Sequence, residues 1–419
     1  DRLGNESVVF KNAYSAAPVC SPTRAALMTG LHPARIPITI WSEGATKPDH
    51  SRRLIPGHSL DHLPQKYETL AEKLQKLGYR TAIVGKWHLG DERAAPETQG
   101  FEVNSGGTLW GAPPTFFWPY RNDTRFKNEF RFVPGLNFGK SGDYLTDKLT
   151  DRAIELMDLA GDQPFFLYMA HYAPHTPIEA PQDLTQKYEK RIKPNYKHQN
   201  ATYAAMIENL DWNVGRLLDH LKKTDQYDNT LIIFTSDNGG YLGTPNSRNG
   251  VVTSNAPLRS GKGSVYEGGI RVPLLIKPPG SQIPKKVIED RVVTYDLHPT
   301  VMKYAGSQEL NDLDGWELKS VVTGDAVKLP DRSLYFHYPH YYETTTPVSA
   351  VISGHHKLLH YEENLRSELY DLEADPVESH DLADSEPEIL NKLKNQLQQW
   401  KNEIGAQAAK PNPAYRGKS

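Results

Sequence analysis

The sequence predicts an α/β fold, a large and largely parallel sheet flanked by helices, followed by a smaller antiparallel sheet carrying one helix. Two observations carry this expectation. Three separate segments repeat one order: amphipathic helix, short apolar strand, polar cluster. After a break at residues 323–333, "TGDAVKLPDRS", the pattern changes to short strands and turns. We therefore expect a larger unit over 1–325 and a C-terminal α+β unit over 330–419.

The first element of interest is "VCSPTRAALMTG", residues 19–30. Pro22 suits a first helical turn and Gly30 a C-terminal stop, so a short helix is predicted with Cys20 at its N-terminus. Free N–H groups and the helix dipole favour anions there. On spacing alone a lone cysteine reads more often as a small buried hydrophobe than as a reactive group.

The first helix–strand segment is "YETLAEKLQKLGYRTAIVGKWHLG", with Leu70, Leu74 and Leu77 on one helical face and "TAIV" running into Lys86 and His88. The second carries Ile154 and Met157 inward, then the strand "FFLYMA", which runs into His171 and His175. In the third, Tyr203, Ile207, Leu210, Val214, Leu217 and Leu221 form an apolar stripe. The strand "LIIF" follows, then Ser236, Asp237, Asn238 and Gly239. In open α/β sheets ligands bind beyond the carboxyl ends of the strands. The Lys, His, Asp and Asn residues all lie just past those ends, so they are expected to converge.

Residues 102–142 are aromatic and rich in Gly and Pro, without periodicity, and read as long functional loops over the sheet. In the C-terminal unit "SAVISG", "KLLHY" and "LRSELYDL" read as strands, and Leu390, Leu393, Leu397, Trp400 and Ile404 share one helix face.

Composition limits the function classes. The 419 residues carry a net charge of −3, which gives no basic field for nucleic acid, so an anionic ligand needs a local basic pocket. A single cysteine excludes an intramolecular disulfide. No apolar run is long enough to cross a bilayer. The opening "DRLGNESVVF" has no Met and reads as the interior of a longer chain, with any targeting segment upstream. Sequons at Asn5, Asn122 and Asn200 occur at a frequency chance gives.

Cys20-x-Pro22-x-Arg24 followed by Thr29-Gly30 resembles the signature of the type I, formylglycine-dependent sulfatases, most like bacterial carbohydrate sulfatases and arylsulfatases. So do "GKWHLG" at 85–90, "APHTP" at 173–177, "TSDNGG" at 235–240 and "GKGSVYEGGIRVP" at 261–273. "ELYDLEADPVESHDLA" at 368–383 is similar to the family's C-terminal part. The resemblance implies an alkaline-phosphatase-like fold with a large mixed sheet, and hydrolysis of sulfate esters, expected here on a sulfated carbohydrate or polysaccharide.

It implies that a formylglycine-generating or anaerobic sulfatase-maturing enzyme oxidises Cys20 to formylglycine. One hydroxyl of the hydrated aldehyde would attack sulfur, and loss of the other's proton would expel sulfate. Asp237, Asn238 and the modified residue 20 correspond to ligands of Ca²⁺ (or Mg²⁺). Lys86 and Lys262 correspond to sulfate-binding lysines, and Arg24 to the arginine that holds the hydrate. His88 corresponds to the base for the second hydroxyl, and His175 to a sulfate-binding general acid.

His171 has no counterpart and reads as a hydrogen-bonded surface residue. "YEGGIRVP" reads as a tight structural turn beside the site. His337 and His340 in "FHYPHYYE" are candidates for substrate specificity, with a packed aromatic strand as the equal alternative. Lys47, His50, Arg52, Arg53 and His58 could form a basic rim, a solvated loop being the slightly favoured alternative. The alternatives to a carbohydrate sulfatase are an arylsulfatase, a phosphodiester or phosphonate ester hydrolase, and a non-catalytic binder of sulfated glycan. The substrate class implies a periplasmic or extracellular location. Relatives carry an aspartate pair on a strand upstream of the cysteine motif, and that strand is not in 1–419. The chain taken literally is therefore expected to bind metal poorly and to turn over slowly.

Overall fold

The computed structural model describes residues 1–45, 51–122, 130–136, 138–246, 249–280 and 286–416. Two sheets make up the larger unit. The first has four strands: β1 (Val8–Tyr14), β5 (Ile232–Thr235), β6 (Leu274–Lys277) and β7 (Lys286–Val293), in the order β7-β1-β6-β5. Here β1 is parallel to β7 and antiparallel to β6, and β6 is antiparallel to β5. The second sheet is parallel, with β2 (Arg80–Gly85) between β3 (Val103–Ser105) and β4 (Phe165–Ala170). The sheet is thus mixed, as the resemblance implies, and less parallel than the repeated helix–strand order suggested. The reason is β6, which runs antiparallel to both of its neighbours, β1 and β5, while β1, β5 and β7 share one direction.

The helices form where the pattern places them. α1 (Cys20–Thr29) ends at Gly30, whose φ of 72° suits glycine and whose N–H donates to Ala26 O at 2.8 Å. α2 (Leu70–Lys76) starts with a capping box between Thr69 and Glu72 and buries Leu70, Ala71 and Leu74, leaving Leu77 43% exposed. α3 (Leu145–Ala160) buries Leu149, Ala153 and Met157. α4 (Ala201–Lys223) departs from expectation. Its buried residues include Ala205, Met206, Asn209 and Asn213, while Ile207 is 43% exposed. Its predicted apolar stripe instead lines a cavity of about 1500 Å³, which the edge strands β4 and β5 also line. The period of the stripe is right: Leu221 is buried in a cluster with Met157 and Leu218, and Val214 and Leu217 pack against it.

The C-terminal sheet is antiparallel throughout: β8 (Leu334–Tyr338), β9 (Val348–Ser353), β10 (His356–Tyr361) and β11 (Ser367–Asp371). α5 (Pro387–Glu403) packs Leu393 and Leu397 onto Val351, Leu358 and Leu369, and Trp400 stacks on Tyr335 at 4.5 Å. The other sheet face joins the larger unit through a core that includes Tyr14, Val19, Ile40, Phe336 and Ala350. At that joint Lys357 is fully buried between Glu267 (2.9 Å) and Glu378 (2.8 Å). No helix among the described residues is long and apolar enough to cross a membrane.

Candidate active site

The site forms where α1 begins and where β2, β4 and β5 end. Cys20 is the first residue of α1 and is buried, and its Sγ lies 3.3 Å from His88 Nδ1. Burial alone would raise the thiol, but Lys86, His88 and Lys262 outweigh it and hold the group well below its ordinary value. Arg24, one turn along α1, donates to Trp87 O at 2.9 Å, to Lys86 O, and to Asp237 Oδ2 at 3.1 Å. Those three bonds tie the start of α1 to the ends of β2 and β5.

His88 follows β2 with φ of 62°, a left-handed conformation uncommon outside glycine. Its carbonyl accepts from Ser21 Oγ at 2.8 Å, and its N–H donates to Thr108 O at 2.9 Å. Gly111 closes over the ring, and a Cβ there would lie 2.2 Å from His88 Cε1. On the far side Glu43 Oε2 is 3.6 Å from His88 Nε2, and Arg131 Nη2 is 3.6 Å from Glu43 Oε1. Burial pushes the Glu43 carboxyl up, yet His88 and Arg131 bring it below its ordinary value. Sequence reasoning did not single out Glu43 or Arg131. Neither belongs to a motif, and 45 residues or more separate each from the side chain it serves.

Lys86 is buried with Nζ 3.8 Å from Asp237 Oδ2, and burial lowers its pKa. Lys262 Nζ donates to His175 Nε2 at 3.1 Å. His175 is held well below the ordinary histidine value, first by burial, then by Lys262 and Lys86. Its neutral ring therefore accepts at Nε2 and donates from Nδ1 to Thr176 O at 3.0 Å. Asp237 is held well below the carboxylate range. Burial opposes this, and Lys86, Arg24 and Lys262 override it. Three fixed cations (Arg24, Lys86, Lys262) against one carboxylate (Asp237) leave two positive charges before residue 20 is counted.

Asn238 donates through Nδ2 to Gly239 O at 2.9 Å, while its Oδ1 is buried without a hydrogen-bond partner. An orphaned carbonyl oxygen beside an ionised carboxylate fits a hard cation such as Ca²⁺ or Mg²⁺. Asp237 and Asn238 supply two side chains of the six or so oxygens such an ion takes. The tight Gly239–Gly268 approach, where a Cβ would lie 2.0 Å from Gly268 O, locks this loop onto the "EGGI" turn.

Thus Cys20, Arg24, Lys86, His88, His175, Asp237, Asn238 and Lys262 converge. Other expectations fail. His337 is buried and hydrogen-bonded to Ser349 Oγ (2.8 Å) and Gln407 O (2.6 Å), and His340 is buried against Thr39 Oγ1 (2.7 Å). Both ring nitrogens of His337 and Nε2 of His340 are thus engaged, because this segment is the packed strand β8 and its exit. His171 is a correction too. It lies in the cavity wall, not on the surface, neither ring nitrogen has a hydrogen-bond partner, and burial lowers its pKa to about 4. Arg52 and Arg53 are exposed, with their carbonyls bonded to Asn412. Lys47 and His50 lie outside the described residues.

A buried sulfur or oxygen nucleophile, a histidine in contact, and lysines around an anion pocket, all on an α/β scaffold, define a hydrolase of anionic esters. The chain belongs to the sulfatase family. The family's model matches residues 1–307, and a model for the N-sulphoglucosamine sulphohydrolase C-terminal region matches 261–403. A sulfatase of Formosa agariphila is 29% identical over 96% of this chain and 82% of its own. Human N-acetylgalactosamine-6-sulfatase is 31% identical over 85% of this chain and 65% of its own, so the match spans slightly under two thirds of that enzyme. The solved structure of Ps i-CgsB in complex with k-i-k-neocarrahexaose superposes with a TM-score of 0.78 at 29% identity, covering 100% of this chain and 89% of that one. A phosphonate monoester hydrolase from Silicibacter pomeroyi shares the fold, with a TM-score of 0.64 at 19% identity.

Proposed function

We propose that the chain hydrolyses sulfate esters on a sulfated carbohydrate, with residue 20 as the nucleophilic position. The observation that carries this is the pocket at the strand ends, where Cys20 Sγ lies 3.3 Å from His88 inside a ring of Lys86, Lys262 and Arg24. Its two uncompensated positive charges suit a tetrahedral anion in a water-poor site.

Each residue has a role that its surroundings support. Lys86 and Lys262 neutralise the sulfate oxygens. His88 takes a proton from the group at residue 20 through Nδ1, and Glu43 orients it from the Nε2 side. His175 Nε2, which accepts from the Lys262 ammonium at 3.1 Å, relays a proton from that ammonium to the bridging oxygen of the ester as the alcohol departs, leaving Lys262 neutral. Arg24 is a positioning residue, since it donates to Trp87 O, Lys86 O and Asp237 Oδ2. Cys20 stands where the motif implies formylglycine, and its Sγ marks the attacking position. Once formed, formylglycine hydrate supplies a hydroxyl nucleophile and a second hydroxyl for release of sulfate. Asp237 and Asn238 would hold a divalent cation, Ca²⁺ or Mg²⁺, which supplies Lewis acidity when bound.

An aromatic face beside the site supports the carbohydrate reading. Phe130 and Phe132 are 57% and 41% exposed and stack at 5.7 Å, and Trp110 meets Phe132 at 6.1 Å. Arg131, between the two phenylalanines, reaches Glu43 and hence His88. Sugar rings present apolar faces that pack on such side chains. Two of the relatives named above, N-acetylgalactosamine-6-sulfatase and the complex with k-i-k-neocarrahexaose, name a sugar, which supports the same class. We further propose a periplasmic or extracellular location, a maturing enzyme as partner, and two units over 1–325 and 330–419.

The test is sulfate release from a panel of sulfated oligosaccharides of defined position, beside the matching phosphate esters. Release that Cys20→Ala abolishes supports the proposal. Faster cleavage of the phosphate analogue would favour the phosphonate or phosphodiester reading that the shared fold suggests.

A further inference from the structure

Away from this pocket, the C-terminal unit gathers a second set of metal-ligating side chains. β9 and β10 are joined by the two-residue turn Gly354–His355, made possible by the φ of 57° at Gly354. The turn puts His355 next to His356, with ring centroids 4.1 Å apart. His356 opens β10 directly opposite Asp371, the last residue of β11. One oxygen of Asp371 is already engaged, since Oδ1 accepts the N–H groups of Glu373 (2.9 Å) and Ala374 (3.2 Å). The other, Oδ2, lies 3.8 Å from His355 Nε2. One ligand atom from each of His355, His356 and Asp371 lies within 4.8 Å of the others, and no other such trio occurs among the described residues.

A fourth group adjoins the cluster beside His356. Glu386, at the entry to α5, places Oε2 3.3 Å from His356 Nε2. That oxygen is buried and has no hydrogen-bond partner. A carboxylate oxygen shut off from water and lacking a donor is costly unless a cation serves it. Ligand atoms about 3.3 Å apart are also what tetrahedral bonds of about 2.0 Å to nitrogen and oxygen produce.

We propose that His355, His356 and Asp371, with Glu386 as the fourth group, bind a transition-metal ion of the Zn²⁺ class. Two imidazoles with carboxylates suit Zn²⁺, Co²⁺, Ni²⁺ or Cu²⁺, whereas Ca²⁺ and Mg²⁺ call for oxygen-only shells. The ion would tie three elements together: the β9–β10 turn, the end of β11 and the start of α5. The turn is itself anchored to the larger unit, because Arg291 Nη1 donates to Gly354 O at 2.5 Å. The site is separate from the catalytic pocket. None of His355, His356, Asp371 and Glu386 lines the cavity that holds Lys86, His175, Asp237 and Lys262. The ion therefore acts as a structural staple and touches no substrate.

The test uses the full chain in its working form, dialysed free of transition metals and kept in excess Ca²⁺. Zn²⁺ alone is titrated by calorimetry and by thermal unfolding, and Co²⁺ by its visible spectrum. We expect the wild type to take up one more equivalent of Zn²⁺ than His355→Ala and His356→Ala. Only the wild type should gain several degrees in Tm, and its Co²⁺ spectrum should be tetrahedral. Glu386→Gln should weaken Zn²⁺ binding at least tenfold. Because His355 is exposed on a turn, His355→Ala should fold and should keep wild-type turnover of sulfate esters. Equal Zn²⁺ stoichiometry in wild type and both histidine variants would overturn the proposal, as would no uptake at 100 µM Zn²⁺ (about a hundredfold above the low-micromolar affinity such a site should exceed). Neither outcome bears on the catalytic reading, which is scored by sulfate release.

Discussion

Gly111→Ala tests the geometry of the proposed base without changing any polar group. The new Cβ would sit 2.2 Å from His88 Cε1, 2.4 Å from Nδ1 and 2.7 Å from Nε2. Ordinary carbon–carbon contact begins near 3.5 Å, so ring or loop must yield by about 1.3 Å. The bond from Cys20 Sγ to His88 Nδ1 is 3.3 Å long, and a shift of that size breaks its alignment. A misplacement of about 1 Å at a reacting group costs on the order of 100-fold in rate. Overpacking costs about 1–3 kcal/mol of stability, which a chain of this size tolerates. Turnover of a sulfated substrate should fall about 100-fold in kcat with a smaller change in KM, at equal conversion of residue 20. Gly4→Ala is the control, because no atom lies within 4 Å of its would-be Cβ. If Gly111→Ala turned over within threefold of wild type, His88 would not be held where the structure places it, or would not act.

Three further outcomes follow from the same geometry. Glu43→Gln removes the carboxylate 3.6 Å from His88 Nε2 and should lower kcat about tenfold, with KM nearly unchanged and Glu43→Asp recovering part of the loss. Lys262→Ala removes a cation from the anion pocket and should cost about 100-fold or more in kcat/KM, read as sulfate release under subsaturating substrate. His337 supplies a pH prediction. Burial lowers its folded pKa to about 4 against 6.5 unfolded. Its contribution to stability is full above pH 6.5 and is lost as pH falls toward 4, since only the unfolded chain takes up the proton. Between pH 7 and pH 5 the wild type should lose about 2 kcal/mol from this residue, and His337→Gln should lose that much less in urea titrations at the two pH values.

How far the sequence reached can be argued from particular residues. The helices α2, α3 and α5 were legible because their apolar positions recur at helical spacing, and β2, β4 and β5 because each is a short apolar run after a turn. The convergence of Lys86, His88, His175, Asp237 and Asn238 was legible because strand ends share one side of the sheet. The antiparallel placement of β6 was not, since periodicity reports burial and carries no strand direction. Glu43 was hidden because its link to His88 is purely tertiary. His337 and His340 misled for the opposite reason. A histidine and aromatic cluster is compatible with a binding face and with a packed strand, and only the burial of β8 on both sides decides.

The most direct test is the dependence of sulfate release on the chemical state of residue 20. Preparations with different degrees of conversion can be quantified by the mass of the peptide spanning 19–24 and assayed on one sulfated oligosaccharide. The rate should be proportional to the formylglycine fraction, passing through zero for the unconverted thiol. A rate independent of that fraction, or full activity in protein whose Cys20 is unmodified, would contradict it.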